Sequence, residues 1–215
     1  MKPKLMNNAL PNLIAENITE QIMTGALKTG EKLVEHIYAE EYGTSRAPVR
    51  EAIYILAVEG LVERIPRKGA VVKEYTESEI FDLLEMRNMF ENMSMGRITQ
   101  HGPSPELLEE MEQILDQMKK TENVYSYTQL NYAFHTCLIK MSKSNTIIEM
   151  YSRLGLPLLR IQSISFAREG NIEKSITEHT LIINLLREQR MTELSVLLSK
   201  HNKDVISNFQ KSLQV

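Results

Sequence analysis

The 215-residue chain holds one cysteine, Cys137, so no disulfide can form within it, and a reducing cytoplasm is its expected address. No run approaches the ~18–20 uninterrupted apolar residues of a membrane helix, which excludes a membrane span. The opening Met1-Lys2-Pro3-Lys4-Leu5 leads into Asn7-Asn8 rather than an apolar core, so no secretory signal is expected. Positive charge is not in excess. There are 25 Lys and Arg against 28 Asp and Glu, a net charge of −3, and residues 1–75 carry ten of each sign. Binding to nucleic acid must therefore rest on where the basic side chains sit, because bulk charge gives it no help. Internal repeats, low-complexity segments and strand signals after residue 75 are also lacking. What remains, with 42% hydrophobic and 25% charged residues, is the composition of a globular protein, and it excludes a disordered chain.

The pattern changes near residue 75. Before it, short helical patterns end in two β-branched runs, Leu61-Val62-Glu63-Arg64-Ile65 and Ala70-Val71-Val72-Lys73, around Pro66-Arg67-Lys68-Gly69, which reads as a hairpin. After it come helical runs separated by breakers. Thr76-Glu77-Ser78-Glu79 fits a capping box, and Ser104-Pro105 suits an N-cap followed by a first helical position. Further helices are expected at about 105–120, 124–141, 145–168, 175–189 and 192–213. The fold class is mainly α: a domain over 1–75, then an antiparallel bundle of about six helices over 76–215. The twelve methionines read as core filler.

In the first domain, an amphipathic helix over 12–27 precedes a short helix from Val34 to Glu41, and Tyr42-Gly43-Thr44 makes a turn. Ser45 then caps a helix opening Ser45-Arg46-Ala47-Pro48-Val49-Arg50-Glu51. Arg46 and Arg50 share one face near the positive end of the helix dipole, where a recognition helix meets base edges or phosphates. Alternatively both are solvated surface charges paired with Glu51 or Glu40. Helix, turn, helix and a wing tipped with Arg67-Lys68-Gly69 together make a winged helix–turn–helix, with the glycine letting backbone approach a groove.

The run from Gly25 to Val72, with Gly30-Glu31-Lys32-Leu33, Ser45-Arg46-Ala47-Pro48-Val49-Arg50-Glu51-Ala52, Glu59-Gly60-Leu61-Val62 and Lys68-Gly69-Ala70-Val71-Val72, resembles the GntR family over about a third of the chain. The resemblance implies a homodimeric transcription factor, commonly a repressor, on a short operator palindrome. DNA contacts would come from Ser45, Arg46 and Arg50 and from the wing at Arg67, Lys68 and Gly69. Ten residues before Arg46 the family commonly has another DNA-contacting arginine; here His36 stands there, expected still to touch a phosphate or base but without the permanent charge or fork geometry.

The second domain holds His101, His135, His179 and His201. Asn131 and His135 are four apart on one helix; His179 and His201 belong to two others. Imidazoles from separate helices can converge on a metal in a bundle core, or each can be a hydrogen-bonded structural residue. The segments Asn131-Tyr132-Ala133-Phe134-His135, Glu178-His179 and Leu198-Ser199-Lys200-His201 resemble the FadR-like branch of the same family. That resemblance implies a divalent metal such as zinc or nickel, held by Asn131, His135, His179 and His201, with water or an effector, expected to be a small carboxylate, completing the shell. Asn131 replaces the usual aspartate, and a neutral amide oxygen is a poorer ligand that leaves more positive charge on the site. Arg87 takes the place of an effector-lining arginine in relatives and would clamp a carboxylate; otherwise it forms a surface pair with Glu91. Cys137, two residues past His135 and about 200° around the helix, reads as a buried thiol. His101, beside Gly102-Pro103, is expected in an exposed loop.

Two alternatives to a ligand-responsive, non-enzymatic regulator follow from the same residues. Three histidines with an open coordination position also describe a metal-dependent hydrolase. Otherwise the metal site is structural or lost, and the effector binds without metal.

Overall fold

The computed structural model describes residues 9–213; the segment read above for a signal, residues 1–8, lies outside them. The chain divides into two compact units, Met1–Tyr75 and Thr76–Val215.

In the first unit, α1 (Ala9–Thr24) starts three residues earlier than expected and stops at Gly25, whose φ of 78° a side chain would strain. Helix α2 (Glu35–Glu41) turns into α3 (Arg46–Val58) through Gly43, at φ 59°. Thr44 N–H closes this turn on the Ala39 carbonyl at 2.9 Å. Ser45 is the N-cap residue of α3, but its hydroxyl makes no capping bond, contrary to expectation. Ile18, Val49, Ala52, Leu56 and Leu61 are fully buried between α1, α3 and the sheet. Each large apolar side chain buried in this way contributes about 1.5–3 kcal/mol.

The wing, β2 (Val62–Ile65) and β3 (Gly69–Val72), is antiparallel, with Glu63 opposite Val71. A strand not foreseen, β1 (Lys32–Leu33), pairs with β3 and gives the order β1-β3-β2. The wing turn closes by Lys68 N–H on the Ile65 carbonyl at 3.1 Å. Pro66 supplies its second position, and Arg67, at φ 66°, occupies the third, where glycine is the comfortable residue. The apex is therefore Pro66–Arg67, and Gly69 lies opposite Ile65 at the start of β3.

Among the described residues, the second unit contains seven helices rather than six. Helix α4 (Glu77–His101) begins with the expected capping box between Thr76 and Glu79, and α5 (Pro105–Met118) with the Ser104 cap. Helix α6 (Val124–Met141) follows. The segment expected as one helix over 145–168 splits into α7 (Asn145–Ser152) and α8 (Gly155–Phe166). Pro157 lacks the N–H a continuous helix would use there, whereas in the first turn of α8 none is needed. Gly155 sits tight against the Tyr132 hydroxyl, which would lie 3.0 Å from an added Cβ. Helices α9 (Asn171–Arg187) and α10 (Met191–Leu213) complete the bundle.

The core centres on α5, α6, α9 and α10, with Ile98, Met111, Met118, Phe134, Ile182 and Leu186 fully buried. Of the methionines, Met95, Met111, Met118 and Met141 are core, but Met86, Met89 and Met93 form an exposed stripe on α4. His101 is exposed as expected, but as the last residue of α4 rather than in a loop. Cys137 is buried, and burial pushes its thiol up to about 12, which keeps it protonated.

Candidate functional site

In the first unit, α3 displays Arg46 and Arg50 to solvent, and His36, Ser45, Arg67, Lys68 and Gly69 are exposed as well. Arg50 donates through Nε and Nη2 to the two oxygens of Glu35 at 2.9 and 2.7 Å, not to Glu40 or Glu51. The hydrogen bond from Arg50 holds the Glu35 carboxyl below its ordinary range. A pair this exposed contributes little to stability and is easily exchanged for another anion. A cleft of about 620 Å³ opens between α3 and the wing, and Lys32, Arg50, Arg64, Arg67 and Gly69 line it together with Glu35. Four basic side chains thus surround one acid. Lys32 and Arg64 were not foreseen; their strand positions, opposite Val71 and Ala70, bring them to this cleft.

The second unit brings His135 of α6, His179 of α9 and His201 of α10 together in its interior. One ring nitrogen from each lies within 4.8 Å of the other two, and all three rings are buried. His135 Nε2 and His179 Nε2 are 3.2 Å apart. For metal–nitrogen bonds of about 2.1 Å, two ligands of one ion lie about 3.0–3.4 Å apart, so the spacing fits. The outward nitrogens fit as well. His135 Nδ1 lies 3.0 Å from Glu91 Oε1, and His201 Nδ1 lies 2.6 Å from Glu178 Oε2. At His201 the Glu178 carboxylate accepts from Nδ1, which favours the tautomer that leaves the Nε2 lone pair free for a metal; at His135 the Glu91 oxygen is close to Nδ1 without hydrogen-bond geometry. Burial, then the Arg87 charge, pushes His135 down to about 4. Burial and the neighbouring histidines hold His179 well below its ordinary value. Both are neutral at pH 7, as metal ligands must be. Without an ion, an Nε2–H of His179 donating to His135 closes the same contact.

Asn131 is buried one turn before His135 on α6. Its Nδ2 donates to Gln162 Oε1 of α8 at 3.0 Å, while its Oδ1 has no hydrogen-bond partner among the described residues.

Arg87 is paired with Glu91, but the pair is buried, each side chain about 1% exposed, and not on the surface. Its Nε donates to Glu91 Oε1 at 2.9 Å, and Tyr151 is a further partner. Burial, the largest influence, works against both charges; the Arg87 charge, His135 and the Asn202 hydrogen bond together outweigh it and hold Glu91 well below the usual carboxylate range. Asn202 of α10 donates to Glu91 Oε2 at 2.8 Å. Arg87 Nη2 and Asn202 Oδ1 have no hydrogen-bond partner among the described residues. Tyr132 stacks on Tyr151 at 5.6 Å, which continues the network to Gly155. Sequence reasoning missed Gln162, Asn202 and Tyr151, and it saw Glu91 only as a surface partner. None carries a local signal, since their partners lie on other helices or were assumed to be exposed.

Two family models match: "Bacterial regulatory proteins, gntR family" over residues 11–72, and "FCD domain" over residues 82–204. The chain belongs to the GntR family of bacterial regulators. The gluconate operon transcriptional repressor of Bacillus subtilis is 31% identical over 144 residues, spanning 66% of this chain and 58% of its own length. That of Bacillus licheniformis is 26% identical over 182 residues, 81% of this chain and 74% of its own. In fold, this GntR chain resembles a transcriptional regulator from Rhodococcus sp. RHA1, with a TM-score of 0.78, 20% identity and coverage of 94% and 98%. It also resembles Escherichia coli McbR, with a TM-score of 0.76, 19% identity and coverage of 95% and 98%. The family and these relatives are transcription regulators, so the metal-hydrolase alternative falls. No helix among the described residues is long and apolar enough to cross a membrane.

Proposed function

We propose that this GntR protein is a cytoplasmic repressor that grips palindromic operator DNA as a homodimer and senses a small carboxylate through a divalent metal. Ser45, Arg46 and Arg50 of α3, the wing residues Arg67, Lys68 and Gly69, and His36 form the DNA-reading set. The basic cleft between α3 and the wing supports this assignment, and it adds Lys32 and Arg64. The exposed Met86, Met89 and Met93 stripe offers an apolar face for a second copy.

The observation that carries the sensor reading is the trio of buried imidazoles, two of them with Nδ1 turned to a carboxylate. His135, His179 and His201 would hold the metal, zinc or nickel, with Asn131 Oδ1 as a fourth donor. When bound, the ion supplies a positive centre that attracts a carboxylate. The donor set itself is neutral and Arg87 and Glu91 cancel one another; the Glu178 carboxylate at His201 offsets part of the ion's charge, and the rest is left for the effector to balance. Arg87 Nη2 adds one donor for it. The names of the two gluconate operon repressors put sugar acids first in a ligand screen. An effector alters repression only through unequal affinity for the DNA-binding and non-binding arrangements.

Metal content of untagged protein, purified without chelator, tests this reading. About one zinc or nickel ion per chain, lost in a His135→Ala/His179→Ala double variant, is the expected result. No ion in either protein would overturn the metal-linked sensor and leave a metal-free pocket.

A further inference from the structure

We infer that Gln162 is a positioning residue that locks the Asn131 amide with its oxygen toward the histidine centre. An aspartate at position 131 would need no such help, because its two oxygens are alike whichever way the group turns. An asparagine presents either an acceptor oxygen or an NH2 that cannot bind a cation. Two orientations related by a half-turn are close in shape, and only their hydrogen bonds separate them.

Here Gln162 Oε1 faces the Asn131 NH2. It accepts from Asn131 Nδ2 at 3.0 Å, and both side chains are about 2% exposed or less, so water does not compete for the bond. With the NH2 committed to α8, Oδ1 is left buried and without a hydrogen-bond partner among the described residues. A buried carbonyl oxygen without a partner is costly, and an ion held by the facing imidazoles would remove that cost. Asn131 and His135 lie on one face of α6, one turn apart, which puts the Asn131 side chain beside that of His135. Gln162 thus makes a neutral residue usable as a metal ligand where a charged one is the alternative. The inference rests on the metal reading above.

Zinc affinity of the full-length chain, measured by competition with a chromophoric chelator, tests it. Gln162→Met keeps the volume and removes the acceptor; zinc binding should weaken about 10–100-fold, the range for losing an outer partner of a ligand. Gln162→Glu keeps an acceptor for Asn131 Nδ2 and should hold zinc at least as tightly as the parent, within about threefold. In an Asn131→Asp background the same Gln162→Met exchange should cost less than about threefold, because a carboxylate has no wrong orientation. An unchanged affinity in Gln162→Met overturns the inference, and so does an equal loss in both backgrounds, which would mark a packing defect. Loss of zinc in Gln162→Glu overturns it too, even if Gln162→Met fails to fold. The His135→Ala/His179→Ala chain separates the two levels. If it binds zinc like the parent, or if the parent binds none, the metal reading fails and the Gln162 role fails with it. If zinc depends on the histidines but not on Gln162, only this inference falls.

Discussion

Each unit of the molecule holds an arginine–glutamate pair, and the two pairs sit at opposite extremes of burial. Arg50 and Glu35 face solvent, with side chains 61% and 34% exposed; Arg87 and Glu91 are each about 1% exposed. The same two functional groups therefore do different physical work. In water the pair is weakly held, so Arg50 can leave Glu35 for a phosphate or a guanine edge at little cost. In the interior neither partner can leave, because the other would remain as an uncompensated buried charge. The exposed pair suits a surface that exchanges partners; the buried pair suits a centre whose geometry must stay fixed.

The largest expected effect that tests this contrast is at Glu91. Glu91→Ala strands Arg87 and removes the carboxylate at His135 Nδ1, and should cost about 3–5 kcal/mol in urea unfolding. A loss under about 1 kcal/mol would show that the buried pair is not what holds this region. Next is Arg50→Ala, expected to weaken operator binding about 5–150-fold, with either relaxed sequence preference or a shallower salt dependence. Its unfolding midpoint should move by less than ~2 °C; a large shift would make Arg50 structural. Smaller still is Arg67→Gly, which relieves a left-handed backbone and should raise the midpoint by ~2–5 °C while weakening DNA binding. A lowered midpoint would mean that the arginine side chain holds the turn together. The smallest effect is at Glu35→Gln, which removes the competitor for Arg50. Operator affinity should stay level or rise, and a fall would show that Glu35 positions Arg50 for DNA.

The two pairs also show which features a single sequence displays. Local chemistry was readable: Thr76 with Glu79, Ser104 with Pro105 and the glycine between α2 and α3 act within four residues. The α7–α8 break was signalled by Pro157, but the apolar run around it hid the signal. Strand β1, with two residues, is too short to show any period and exists only because β3 accepts it. At the histidine centre the ligand-type residues were named from motif resemblance, whereas the residues that orient them were not. Gln162 meets Asn131 across 31 residues of sequence, and Asn202 meets Glu91 across 111. Such partners have no spacing rule, since they are chosen by how helices pack. Burial was equally invisible at Arg87: a four-residue separation from Glu91 reads the same on an exposed face as inside a bundle.

The tight fit at Gly155 has a consequence for how this fold can drift. A methyl group there would meet the Tyr132 hydroxyl, and Tyr132 cannot swing aside because its ring lies flat on Tyr151. Tyr151 in turn is a partner of Arg87. An alanine at 155 is therefore eased once position 132 has lost its hydroxyl, as in Tyr132→Phe, although the ring carbon that carried it, 3.3 Å from the added Cβ, must still give by a few tenths of an ångström. Related chains should change these two positions together or not at all, so a site with no side chain of its own inherits the evolutionary constraint of the buried arginine.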